Sequence, residues 1–189
     1  MKFNRILAQA AAVLVATGAA QAASHSQTEN PMVGGAAMLP TMTIVDNAMN
    51  SQDHETLVAA VVQAGLAETL KGAGPFTVFA PTDDAFDMIA KDSLAALMMD
   101  ENKAQLAQIL TCHVVAASAM SDAIAGMIAA DGGAHPVETL GGCTLRATLS
   151  GDTITLTDEN GRDATVTIAD VVQSNGVIHV IDRVLLPKQ

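Results

Sequence analysis

Tyrosine and tryptophan are absent from this sequence, and four phenylalanines make up its aromatic complement. The chain therefore lacks the ring platforms on which bases stack and the usual anchors of sugar sites. Basic residues are scarce too: 9 Lys and Arg stand against 20 Asp and Glu, a formal net charge of −11. They form no cluster, and so acidic a surface repels phosphate backbones and anionic lipid, which makes nucleic acid a poor candidate partner. Also missing are a phosphate-cradling glycine loop, a Ser-His-Asp order with a nucleophile elbow, a metal-ligand cluster and a cofactor fingerprint. GGAAM and LGGC pair their glycines without the strand-to-helix context such loops require. No residue can be named for catalysis, so the reading is of a non-enzyme without a cofactor.

Long apolar runs are scarce as well, and the one present is at the start. Lys2 and Arg5 precede the apolar stretch Ile6 to Ala20, and Ala20-Gln21-Ala22 places small residues where a signal peptidase reads. The stretch is shorter than the roughly 20 residues of a spanning helix and contains Gln9 and Gly18. Residues 1–22 are therefore expected to be a cleaved signal peptide, and the mature chain to begin at Ala23. That chain is expected to be secreted or periplasmic, with no membrane insertion. Loss of Lys2 and Arg5 takes the formal charge from −11 to −13 and leaves 167 of the 189 residues, a comfortable size for one domain with a real core. Residues 23–31, ASHSQTENP, are polar and read as a disordered linker, so the domain is expected over 32–189.

Within that domain helical spacing comes first. In DHETLVAAVVQAGLAETL, Leu57, Val58, Val61 and Val62 share a face, Asp53 is placed to cap the start and Gly65 interrupts, which predicts two short helices. NKAQLAQIL (102–110) repeats the pattern, and SDAIAGMIAADGG (121–133) ends on glycines suited to a C-cap. After residue 136 the period drops to two. Short β-branched runs follow, separated by Gly151-Asp152, Asn160-Gly161 and Asn175-Gly176, all hairpin signals. Helices followed by an antiparallel sheet imply an α+β domain.

GPFTVFAPTDDAF (74–86) reads as a strand handing over to a helix. Pro81 is expected to keep the strand from being a central ladder member, Thr82 to cap the helix, and Asp83 and Asp84 to sit in its first turn, where the macrodipole favours negative charge. Asp83 and Asp87 share a face and offer two carboxylates toward a calcium site, without further oxygen ligands nearby. The loop DENGRD (158–163) lacks the glycine placement and distal Glu of a calcium loop and is better explained as an Asn-Gly hairpin.

Two long segments in register carry a family resemblance. GPFTVFAPTDDAF resembles the first signature of the fasciclin domain, and SNGVIHVIDRVLLP (174–187) resembles the second, about a hundred residues later. Between them NKAQLAQILTCHVV is similar to the family's helix leading into a Leu-x-Tyr-His-Val-Val strand, while MLPTMTIVDNAMN and HETLVAAVVQAGLAETLKGAG are similar to its N-terminal helices. The resemblance covers roughly residues 32 to 187. It implies a β-sandwich or wedge with several helices packed along it. It also implies a binding module for cell adhesion, or for contact with matrix or other surface components, acting as a monomer toward a protein or matrix partner. An alternative is a periplasmic protein holding a small apolar ligand, which the Met-rich, aromatic-poor core permits.

The resemblance also directs attention to particular residues. Cys112 stands where the family has Tyr, beside His113, which puts any role of that ring in doubt. His113 and His179 lie in strand-like runs and read first as buried, hydrogen-bonded residues, with His113 kept as a weak binding candidate. The family links an Asp-Ile pair ahead of the second signature to integrin contact, and Asp170-Val171 stands at the matching place. Asp170 is expected to close the strand Ala164 to Ala169 before a turn. There its carboxylate either projects to a partner or bonds the turn backbone. Cys112 and Cys143 are the only cysteines, 31 residues apart in a chain read as exported. Each is expected to start a strand, and they either form a cross-sheet disulfide or remain two buried thiols.

Overall fold

The computed structural model describes residues 30–188 of the chain. The proposed signal peptide and cleavage site, and all but the end of the linker, lie outside these residues. A small hairpin comes first, β1 (Met32–Val33) and β2 (Ala36–Ala37), followed by helices α1 (Ile44–Ala48), α2 (Glu55–Ala64) and α3 (Ala67–Lys71). Strand β3 (Phe76–Pro81) leads into α4 (Asp83–Asp87), α5 (Lys91–Leu97) and α6 (Lys103–Thr111). After β4 (Val114–Val115) and α7 (Ser121–Ala130) come β5 (Ala134–Glu138), β6 (Thr144–Ser150), β7 (Thr153–Thr157), β8 (Asp163–Gln173) and β9 (Gly176–Ile181).

The main sheet has seven strands in the order β4-β3-β9-β8-β7-β6-β5. It is mixed. Every neighbouring pair is antiparallel except β3 and β9, which run parallel from Phe76 opposite Gly176 to Pro81 opposite Ile181. The two signature segments are thus adjacent strands of one unit. Their side chains alternate between two cores. Val78, Ala80, Ile178 and Val180 face a cluster built with the helices, including Leu57, Val61, Leu106 and Leu110. Phe79 and Ile181 face a second cluster with Leu145, Ile154 and Leu156 of the hairpin strands and Ile124 and Ile128 of α7. Burial on both faces explains why FTVFAP and GVIHVI are nearly unbroken apolar runs, whereas β6 and β7 alternate.

Strand β8 is long enough to serve both leaves of the wedge, and register shifts break its pairing with β9 between Val166 and Ile168 and between Ile168 and Val171. At the opposite margin Leu140 N–H donates to Val114 O at 2.7 Å, Gly141 N–H to Thr111 O at 3.0 Å, and Cys112 is disulfide-bonded to Cys143. The bond therefore ties the end of α6 to the turn between β5 and β6.

Three local expectations change. Neither cysteine starts a strand: Cys112 is the helical residue closing α6, with β4 starting at Val114, and Cys143 lies in the turn one residue ahead of β6. Strand β3 is interior, and Pro81 is tolerated because it lies beyond β4, which pairs only with Thr77 and Val78 and bonds Phe79 N–H through His113 O. Asp170 does not close a strand: it lies inside β8 at the bulge, with φ of 60°.

Candidate functional site

Several buried and half-buried polar side chains bond backbone around the signature pair, whereas buried His54, whose Nδ1 lies 2.9 Å from Ser51 Oγ, leaves its Nε2 without a hydrogen-bond partner. Thr82 caps α4 as its type suggests, accepting from Ala85 N–H at 3.3 Å. Asp83 does something the sequence did not show. Its Oδ1 accepts from Thr56 N–H at 2.8 Å and its Oδ2 from Glu55 N–H at 3.2 Å, while its own N–H donates to Asp53 O at 2.8 Å. The signature aspartate, not Asp53, thus satisfies the first turn of α2, and both of its oxygens are occupied by amides rather than held open for a cation.

Asp170 performs the same task for α7. Its Oδ1 accepts from Ser121 N–H at 2.7 Å, and its Oδ2 from the Ser121 hydroxyl. The left-handed backbone at Asp170 lets its N–H reach His179 Nδ1 at 3.3 Å. Since Nδ1 accepts, the ring proton is on Nε2, which donates to Ala119 O at 2.9 Å. Serine, aspartate and histidine therefore meet, yet their connections do not form a relay. The hydroxyl is spent on the carboxylate, and neither imidazole nitrogen faces it. Val171 is fully buried.

His113 is a second neutral imidazole. Leu185 N–H donates to its Nε2 at 2.9 Å, which fixes the proton on Nδ1, where it donates to Ile109 O at 2.8 Å. Burial lowers its pKa to about 4, against the opposing influence of the Ile109 carbonyl and the Asp158 charge. Burial lowers the His179 pKa as well, opposed by the bond to Ala119 and the charge of Asp170. Of the three binding candidates, His113 and Val171 are buried and Asp170 is half-buried with both oxygens engaged.

Two further residues escaped sequence reading. Asn175, which the Asn-Gly pair marked as a turn residue, is 7% exposed, and only Asp170 among the described non-glycine residues has positive φ. Asn175 Oδ1 accepts from Ile44 N–H at 3.0 Å, and its Nδ2 donates to Leu70 O at 2.7 Å and Gly72 O at 2.9 Å, which binds α1 and α3 to the second signature. Asp158 organises the DENGRD loop. It accepts from the backbone of Asn160, Arg162 and Leu186, and from Arg162 Nε and Nη2 at 3.0 and 2.6 Å. Burial pushes its carboxyl up, but these bonds outweigh that and hold it below the usual range.

Open space is limited. An apolar cavity between α1, α2 and β3, lined by Val45, Leu57, Val61, Leu70 and Val78, has about 30 Å³, room for about one or two waters. A wider, open groove of about 520 Å³ lies along α5 and α6, lined in part by Met88, Leu97, Gln105, Ile109 and Arg162. Among the described residues no group of three or more His, Cys, Asp or Glu could hold a metal ion, and no helix is long and apolar enough to cross a membrane.

In this mixed sheet Asp83, Asp170, Asn175, His113 and His179 each bond backbone of another segment. The chain belongs to the fasciclin domain family, whose model matches residues 52–187. It is 39% identical over 173 residues to Protein sll1483 of Synechocystis sp., covering 89% of this chain and 86% of that protein. Identity to the immunogenic protein MPB70 of Mycobacterium bovis is 32% over 188 residues, covering 94% and 84%. Transforming growth factor-beta-induced protein ig-h3 of Sus scrofa is 35% identical over 133 residues, 70% of this chain but only 18% of that protein. Among solved structures, a FAS1 domain pair from the insect cell adhesion molecule Fasciclin I matches with a TM-score of 0.68 at 19% identity, over 78% of this chain and 51% of that one.

Proposed function

We propose that this chain is an exported, non-enzymatic binding module that mediates cell adhesion or contact with matrix and surface components through its outer surface. The observation that carries the reading is the commitment of these polar groups, three buried and two half-buried: Asn175, His113 and His179, and Asp83 and Asp170, each bond backbone of another segment. Recognition is thereby left to the exterior, where Met49, Val62 and Met88 are each 61% exposed. In this reading Asp170 shapes the surface by holding α7 and does not itself touch the partner. The likeness to a cell adhesion molecule's domain and to Transforming growth factor-beta-induced protein ig-h3 supports the same class of role. A small apolar ligand has less support, because the enclosed apolar cavity has only about 30 Å³.

The test is retention of the producing cells, or of extracellular matrix fragments, on surfaces coated with purified protein, beside an inert protein of similar negative charge. Retention above that control, reduced by Met49→Lys and Val62→Lys at unchanged melting temperature, is the expected result. Equal retention on both coatings would sink the proposal.

A further inference from the structure

We propose that His54 is a buried acid sensor beneath the N-terminal hairpin, and that its protonation releases β1 and β2 from the domain. His54 lies at the start of α2 and is 3% exposed. Its Nδ1 is 2.9 Å from Ser51 Oγ, and its enclosed Nε2 has no hydrogen-bond partner. This holds for either neutral tautomer. If the Ser51 hydroxyl donates to Nδ1, the proton on Nε2 lacks an acceptor; if Nδ1 donates to Ser51, the Nε2 lone pair lacks a donor. The ring lines a cavity of about 10 Å³, the space of about one water. Val33 and Met38 wall it from the hairpin side, and Ala80, Val171 and Ile178 from the sheet. Alkyl walls of this kind offer an ion no solvation.

Protonation puts a charge where the closed fold cannot answer it. Nδ1–H still reaches Ser51, but Nε2–H then faces the cavity as part of a cation, at a helix start that itself disfavours positive charge. No side chain of residues 30–40 is ionisable, so the hairpin brings no counter-ion, and Ala80, Val171 and Ile178 bring none from β3, β8 and β9. The acids whose charge reaches the ring are Asp53, next to it in sequence, and Asp83 of α4, whose oxygens already accept from Glu55 and Thr56 N–H. Burial lowers the His54 pKa, opposed by the Ala80 carbonyl and these two charges. The closed form is therefore fully favoured above 6.5, the value of a hydrated ring in the open form, and loses ground as pH falls below it.

The hairpin is the wall that can yield. Its strands have two residues each and form a sheet of their own, separate from the seven-stranded one. It is fastened over the site by Gln52 N–H, which donates to Gly34 O at 3.0 Å, and by the Asn47 side chain, which accepts from Leu39 N–H at 3.0 Å and donates to Leu39 O at 2.8 Å. Gly34, with φ of 55°, lets the backbone press on Ser51, since a Cβ there would lie 2.3 Å from Ser51 Oγ. Lifting the hairpin admits water to Nε2 and uncovers Ala80, Val171 and Ile178. The cavity shares Ala48 and Ser51 with an open depression along Met49 and Val58, so the acid form widens the exposed apolar surface there.

Amide hydrogen exchange of the purified protein, followed by NMR at pH 7 and pH 5 and corrected for the chemical rate at each pH, tests the device. The amides of Met38, Leu39 and Gln52 are expected to open about tenfold or more often at pH 5. Those of β9, Gly176–Ile181, keep their protection. In His54→Gln the hairpin amides no longer respond to pH. Hairpin exchange that is the same at both pH values in the parent overturns the proposal. So does a response that persists in His54→Gln, or one that β9 shares, since that would be loss of the whole fold. Should His54→Gln not fold, titration of the parent decides: the His54 ring and the Gln52 amide are expected to shift with one midpoint below 6.5, and separate midpoints overturn the proposal.

Discussion

The two parts of this domain are held by different means. The hairpin leaf, β5 to β8, is assembled from sequence neighbours: a two-residue turn at Gly151-Asp152 with Gly151 at φ 62°, then a five-residue loop organised by Asp158. The signature pair, β3 and β9, joins segments about a hundred residues apart in a parallel register and is pinned by buried Asn175 and half-buried Asp83, which reach into other elements. Local turns make the first region legible and tolerant. Long-range bonds with single partners make the second exacting.

The largest effect is expected where the signature strands begin. A Cβ at Gly176 would lie 2.0 Å from Phe76 O, a backbone atom with no room to yield. Gly176→Ala is expected to cost more than about 4 kcal/mol or to prevent folding, whereas Gly151→Ala, with nothing near its Cβ, meets only the strain of its φ of 62°. Equal loss for the two in chemical denaturation would erase the distinction drawn here.

Next comes the bond between the regions. Reduction of Cys112–Cys143, which span 31 residues, is expected to cost about 3–4 kcal/mol by releasing the unfolded chain. Melting with and without reductant measures it, with thiol alkylation after unfolding as the check on the bond.

Acid is expected to weaken the fold by a comparable amount. Folded His113 titrates at about 4, below the 6.5 of an unconstrained histidine, so between those values the unfolded chain binds the extra proton. The stability it contributes is fully present above pH 6.5 and declines as pH falls to about 4, by about 3 kcal/mol. His179 adds a loss of the same sign. The carboxyl of Asp158 is held below 3.8, so its loss comes at still lower pH. Unfolding free energies from pH 7 to 4.5 should slope accordingly in the parent and flatten in His113→Gln. An identical slope in both proteins would remove His113 from the account.

The smallest of these effects concerns the two helix-capping carboxylates. Asp83→Ala and Asp170→Ala are each expected to cost about 1–2 kcal/mol, the range of a lost cap. Asp170→Asn should cost less than Asp170→Ala, since asparagine tolerates positive φ and retains an acceptor. Adhesion measured well below each melting point then separates the two possible roles of Asp170. Binding retained by folded Asp170→Ala assigns the residue to structure, whereas binding lost at unchanged stability assigns it to contact.

What the sequence revealed follows the same division. The change of period, the Thr82 cap, the Gly151-Asp152 turn and the α+β class all depend on residues a few positions apart. The parallel pairing of β3 with β9 does not, because apolar runs buried on both faces show no alternation that would reveal a neighbour. Asp53 was a reasonable cap for α2 by position, but the carboxylate that arrives is Asp83, delivered by a strand-to-helix turn 28 residues beyond Glu55. Asp170 and Asn175 were visible as turn-type residues, but their partners, Ser121, Ile44 and Leu70, are set only by the tertiary arrangement.

Strand β9 is the last of the described strands in sequence, yet it lies inside the sheet, between β3 and β8. Neither core can close until it arrives, because it supplies Ile178 and Val180 to one and Ile181 to the other. The N-terminal helices and the first signature must therefore wait, with their apolar faces uncovered, until this last strand of the domain has been made. Such late closure makes folding slow and exposes the waiting chain to aggregation.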